Sequence, residues 1–459
     1  MLIPDISPVQ LRWQEARADD LSIHYLSGTP AERDIDHLKA TALESLSRVS
    51  LALNERLNNR LSLYLVPRVF WQGGVALGDR LVIISYADRA YTGVTARDYF
   101  AHEIAHALTQ RWGNLGNAGG ILSEGVAVYA SGGHYQPDLL DQSAATLAQS
   151  PLFIPLSILR RDFSNQQHEI AYTISGSFVR FLIDQHGLDN LRAIVRRPND
   201  WRVIYGKDFD ALAQDWLAVM QKTPTTNDSL RRWQLKVRYY DLLRRYEEQF
   251  DPDARRLPSA PVERWDAELR RALQAPADAE NNRVLELMMV SAIEAVEGLR
   301  SPAQLELAER YMNEVERKVR SPQSADEEIM AEVRVIVRLA HSQDEALIRR
   351  DAAALQATLD LAGHPQFVAN FMERAQAQPL WLRFTQSPVR IQLAGDRAYL
   401  TVAQWAEPLD RANRNLRDGQ TSVAPGQRWV LALQKIGGWR IVGRWLDAPD
   451  MLKTNQAAR

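Results

Sequence analysis

The chain has 459 residues, of which 46% are hydrophobic and 24% charged, with a net charge of −2. Those values describe a globular protein of two or three domains and give no reason to invoke nucleic acid or a membrane surface. Nine histidines and no cysteine exclude disulfides and thiolate ligands, so a metal site here must use imidazole and carboxylate.

No apolar run reaches the roughly 18 residues of a membrane-spanning helix. Met1-Leu2-Ile3-Pro4-Asp5 lacks the charged and apolar regions of a signal peptide. The expectation is a soluble chain. The compartment stays open, and an extracytoplasmic place fits if a leader has been removed.

In chain order, Thr29-Pro30-Ala31-Glu32 reads as a capping box with proline at the first helical position. It opens a long amphipathic helix to about Leu57. Residues 61–66 alternate as a strand, and residues 81–85 form a second one whose apolar run favours burial on both faces. The first third is therefore strand–helix–strand–strand–helix, an α+β unit that ends in a helix from about residue 96. Thr95 is its candidate N-cap and Asp98 its acidic first turn, while Gly113 and Gly116 end the pattern.

That helix carries Ala101-His102-Glu103-Ile104-Ala105-His106, an HExxH motif. Residues four apart share a helix face about 6 Å apart along the axis, so His102 and His106 can aim at one ion. Glu103 is rotated about 100° from His102 and can act on a water without being a ligand. A loop follows, and a second helix over about 122–130 carries Glu124. A catalytic zinc commonly has three protein ligands and an open position, and Glu124 is the best candidate for the third. Zinc is thus the expected cofactor, with His102, His106 and Glu124 as ligands and Glu103 as general base.

His102 to His106 followed by Ser123-Glu124-Gly125-x-Ala127-x-Tyr129 resembles the gluzincin metallopeptidases. The broad peptidase MA-like group, related to thermolysin and aminopeptidase N, is the nearest. The resemblance implies a thermolysin-like domain in which a glutamate on the next helix is the third ligand. It also implies that a tyrosine before a glycine-containing helix hydrogen-bonds the oxyanion. By position that tyrosine is Tyr172, in Ala171-Tyr172-Thr173-Ile174-Ser175-Gly176, with Tyr129 and His168 as weaker rivals. In such enzymes the strand preceding the active-site helix edges a small sheet roofing the cleft, and a peptide can add to that edge.

The chain departs from those relatives in three respects. Seventeen residues separate His106 from Glu124 where aminopeptidase N relatives have eighteen. Their amine-gripping Gly-Ala-Met-Glu-Asn motif is missing, and Gly73-Gly74-Val75-Ala76-Leu77-Gly78 stands in its place without a glutamate. Val128 occupies the position of the acid that orients a histidine ligand in thermolysin-like enzymes, so the orienting partner must be a carbonyl or come from elsewhere.

Downstream the pattern turns helical. Residues 208–222 read as a helix, 223–229 as a linker, and 229–250 and about 262–338 as further amphipathic helices broken by prolines. A helix over 341–361 precedes strands at 389–393, 397–405, 429–434 and 439–445. Gly395-Asp396 and Gly437-Gly438 make hairpin turns. Residues 330–447 thus resemble the nuclear transport factor 2-like (SnoaL-like) cone, which implies an accessory or substrate-binding role. No Asp/His acid–base set stands out there, and Trp381, Trp405, Trp429, Trp439 and Trp445 read as core and rim packing.

The resulting division is a gluzincin-like domain at 1–222, a helical region at 223–328 and a nuclear transport factor 2-like domain at 329–459. Two function classes fit. One is a zinc peptidase acting on a peptide or protein, an endopeptidase with exopeptidase activity left open. The other is a non-catalytic scaffold that retains a peptidase fold and a docking domain.

Overall fold

The structure, a computed structural model, describes residues 12–27, 30–66, 73–86, 96–113, 119–133, 139–250, 279–297, 301–376, 382–408 and 427–446. It is mixed α and β and mostly helical, with small sheets. The chain divides into two compact units, one over residues 7–275 and one over residues 276–459 with the first six. Among the described residues no helix is long and apolar enough to cross a membrane. Thr29, Thr95, Gly116 and Trp381, each given a role above, lie outside the described residues.

The first unit opens on strands β1 (Trp13–Ala18) and β2 (Leu21–Leu26), helices α1 (Pro30–Arg33) and α2 (Ile35–Leu53), and strands β3 (Leu61–Val66), β4 (Gly74–Leu77) and β5 (Leu81–Ser85). Their sheet order is β1-β2-β3-β5-β4, parallel across β2, β3 and β5 and antiparallel at both ends. The parallel β2–β3 pair needs a crossover, which α1 and α2 supply. The single helix expected to about Leu57 is broken at Asp34, whose carboxylate accepts the Tyr86 hydroxyl at 2.8 Å. It stops at Leu53, where Asn54 turns into the left-handed region at φ 45°.

The resemblance put the strand before the active-site helix at the sheet edge, but β5 lies inside, between β3 and β4. Its buried Val82, Ile83 and Ile84 need cover on both faces, which an interior strand receives. The edge belongs to β4, a strand the sequence reading left as a glycine segment.

Helices α3 (Ala96–Thr109), α4 (Gly120–Ser131), α5 (Leu140–Ala148), α6 (Leu156–Asp162), α7 (His168–His186), α8 (Leu188–Arg196), α9 (Trp201–Tyr205), α10 (Phe209–Lys222) and α11 (Asn227–Phe250) complete this unit. One core joins them to the sheet: Ile23, Leu63 and Ile84 meet Leu38, Val49, Phe100, Ile104 and Leu108. Helix α11 follows the expected linker yet belongs to this unit, packing on α5 and α7. The boundary expected after residue 222 therefore falls inside it.

The second unit contains α12 (Ala279–Glu297), α13 (Pro302–Arg320), α14 (Glu328–Arg349), α15 (Ala352–Ala357), α16 (Pro365–Gln376) and an antiparallel sheet, β6 (Leu382–Ala394), β7 (Arg397–Pro408), β8 (Gln427–Lys435) and β9 (Trp439–Leu446), in that order. Gly395 and Gly437 turn its hairpins at φ 65° and 61°. The helix expected over 341–361 is instead the end of α14, a left-handed Arg350 and the short α15 capped by Asp351. An Asp/His pair is also present against expectation: His364 Nδ1 lies 3.0 Å from Asp360 Oδ2. Asp360 also accepts the Gly363 N–H, so the pair closes the turn that leads into α16. Trp439 is buried and Trp429 and Trp445 partly so.

Candidate metal centre

Helix α3 is buried along most of its length, because the sheet lies on one side and α2 and α4 on others. That packing fixes the direction of its polar side chains. His102 and His106, one turn apart, bring their Nε2 atoms to 3.2 Å. Glu124, from the second turn of α4, places Oε2 3.3 Å from His102 Nε2 and 3.2 Å from His106 Nε2.

Tetrahedral ligation at about 2.0–2.1 Å spaces donors about 3.3–3.4 Å apart. Three converging donors at 3.2–3.3 Å, two imidazole nitrogens and one carboxylate oxygen, therefore fit one zinc-sized ion. The triangle is not sealed: the Glu124 side chain is 22% exposed while that of His102 is 5%.

Electrostatics follow from that crowding. Burial opposes charge on His106, but Glu124 outweighs it and lifts His106 to a pKa of about 9. Burial would raise Glu124, yet the two imidazoles hold its carboxyl well below the usual range. Glu103 is raised, chiefly by burial and only partly offset by His102 and His106. Its carboxylate accepts the backbone N–H of Ala76 in β4. Gly74 of the same strand passes so close that a Cβ there would lie 2.6 Å from Glu103 Cγ. The edge strand thus runs directly over Glu103.

Tyr172 approaches from α7. Its hydroxyl bonds Glu124, and burial first, then the Glu124 and Glu103 charges, push its pKa above the usual tyrosine range. It therefore stays protonated, as a hydrogen-bond donor must. Its ring lies 6.1 Å from the His102 ring, and His168 stacks on it at 3.8 Å. Tyr129 packs against the core. Val128 is buried against Gly176 of α7 and offers no atom to orient a histidine.

The five sequence candidates His102, Glu103, His106, Glu124 and Tyr172 are thus brought together. The β4 strand, and Glu169 with Arg244 behind Tyr172, were not anticipated. Gly78-Asp79 between two apolar runs was the available signal for β4, as a hairpin turn; Gly78 adopts φ 71°. No local signal pairs residues 169 and 244.

Residues 38–222 match the family model of the Peptidase MA superfamily, and the chain carries a domain of that superfamily over those residues. The match runs from α2 to the end of α10 and contains all five site residues. No curated protein matches the chain.

Proposed function

We propose that this chain is a zinc-dependent peptidase of the gluzincin type, with His102, His106 and Glu124 as ligands, Glu103 as general base and Tyr172 as oxyanion donor. The observation that carries this reading is the convergence of two imidazole nitrogens and one carboxylate oxygen at 3.2–3.3 Å. Beside them sits a second carboxylate, Glu103, raised by burial. Zinc held there supplies Lewis acidity: it acidifies water to a pKa of roughly 7 and polarises a carbonyl.

The chain's own residues do the rest. Glu103 takes a proton from the attacking water as oxygen bonds to the scissile carbon. It passes that proton to the amine nitrogen as the C–N bond breaks. A raised carboxyl pKa suits both directions, because acid and base strength are then closer to balance at neutral pH. Tyr172, held protonated, donates a hydrogen bond to the oxyanion. Among the described residues no strand pairs with the outer side of β4, and its main-chain groups beyond the Ala76 N–H held by Glu103 suit an extended peptide. Gly74-Val75-Ala76-Leu77 supplies no carboxylate to grip a free α-amine, which favours cleavage within a chain over removal of a terminal residue.

The test is zinc content by mass spectrometry together with digestion of a peptide library. Wild-type protein is expected to hold one zinc and to cut internal bonds. Glu103→Gln is expected to keep the zinc and lose about 10²–10⁴-fold in rate. A wild-type chain that takes up no zinc on refolding with the metal overturns the proposal.

A further inference from the structure

The first two turns of α7, which present His168 and Tyr172 to the metal group, are fastened from outside the matched region. Gln167 caps the helix: its Oε1 accepts the Ile170 N–H at 2.9 Å, and its Nε2 donates to Glu169. The other Glu169 oxygen accepts from Arg244 Nη2 at 2.6 Å. Arg244 Nη1 donates to Asp241 at 3.0 Å. The Glu169 side chain is 3% exposed and that of Arg244 19%, and a carboxylate so buried is costly without a partner.

Arg244 and Asp241 lie on α11, beyond residue 222, where the superfamily match ends. Glu169 and Tyr172 are three residues apart, so they are neighbours on one helix surface. A carboxylate in a first helical turn is already favoured by the helix dipole. A bridging guanidinium adds direction: two of its nitrogens hold two carboxylates on two helices in one fixed fork.

We propose that Arg244 is a positioning residue for the peptidase. Through Glu169 it fixes the first turn of α7 and so sets where the Tyr172 hydroxyl meets the metal group. Helix α11 is thereby a working part of the site. This rests on the peptidase reading only for its kinetic consequence; the positioning itself has a separate readout.

The test uses the full-length, zinc-loaded protein with Arg244→Ala and Glu169→Gln, each alone and combined with Tyr172→Phe. Each single change is expected to lower kcat about tenfold, with KM within about twofold and zinc content unchanged. On the Tyr172→Phe background the further loss is expected to stay below about twofold, because the group being positioned is gone. Additive losses, or an unchanged kcat in both single variants, overturn the proposal. Glu169→Gln keeps volume and the Gln167 contact, and it carries the test if Arg244→Ala does not fold.

The second readout is the ¹⁹F resonance of 3-fluorotyrosine placed at position 172. Both variants are expected to shift or split it, and an unmoved resonance overturns the positioning role. A wild-type chain that hydrolyses nothing while the resonance still moves would defeat the peptidase reading and leave the positioning intact.

Discussion

Glu124 is the hub of the site, because one carboxylate meets both imidazoles and the Tyr172 hydroxyl. Removing it takes away a proposed ligand and leaves the two imidazoles without their anion. Glu124→Ala is expected to weaken zinc binding by more than about 100-fold, beyond what loss of an outer-shell partner costs. Competition against a chromophoric chelator measures this, and an unchanged affinity would place the third ligand elsewhere. Tyr172→Phe removes only the proposed oxyanion donor. It is expected to lower kcat by about 10²–10³ with zinc retained, and an unaltered kcat would remove Tyr172 from the chemistry. At this scale the metal-ligand candidates were legible because i,i+4 spacing on a helix is geometry the sequence states directly. Tyr172 came from resemblance, and His168 only as a rival. The contacts of Glu103 with β4 were hidden, since they depend on a hairpin folding back over α3.

Between elements, the closest approach that shapes the site is α4 against α7. Gly125 faces the Ser175 carbonyl, where a Cβ would come within 2.7 Å, and a Cβ at Gly176 would overlap the Val128 side chain. These two glycines let the helix carrying Glu124 lie against the helix carrying Tyr172. Gly176→Ala is therefore expected to destabilise the protein by about 1–3 kcal/mol through overpacking. The fall should appear as a lower Tm; an unchanged Tm would mean that the helices separate freely.

In the second unit, Asp326 tests a different force. Arg334 Nε donates to it at 2.5 Å and Lys318 Nζ lies 3.1 Å away. Burial opposes its charge, but these two cations outweigh burial and lower its pKa. A depressed folded pKa gives stability that is present above the unfolded carboxylate value, about 3.9, and is lost as pH falls through the folded one. Asp326→Asn should thus melt below wild type at pH 7, with the gap closing below about pH 4. A gap that stays constant with pH would show that the ion pairs add nothing. Sequence periodicity found most of the helices and strands but misplaced several ends. Asn54 and Arg350 stop their helices in the left-handed conformation, which asparagine tolerates but arginine does not announce.

The whole molecule is two compact units, and all five site residues lie in the one that spans residues 7–275. A ligand that binds only the folded state raises the stability of the unit that holds it. Calorimetry is therefore expected to show zinc raising one melting transition and leaving the other in place. A shift of both transitions would show that the metal also acts on the unit beyond residue 275.

The sequence by itself determined the donor set: HExxH on a helix, a glutamate on the next, and no cysteine to compete with them. Local spacing suffices there, because the helical repeat fixes which side chains share a face. It also determined most of the strands, since alternation and glycine turns are local signals. Only the tertiary structure decided that β4, not β5, edges the sheet over Glu103, and that α11 returns to lock Glu169. Both depend on which surfaces remain to be buried once the elements have formed. That is a property of the assembled core, and no stretch of sequence carries it alone.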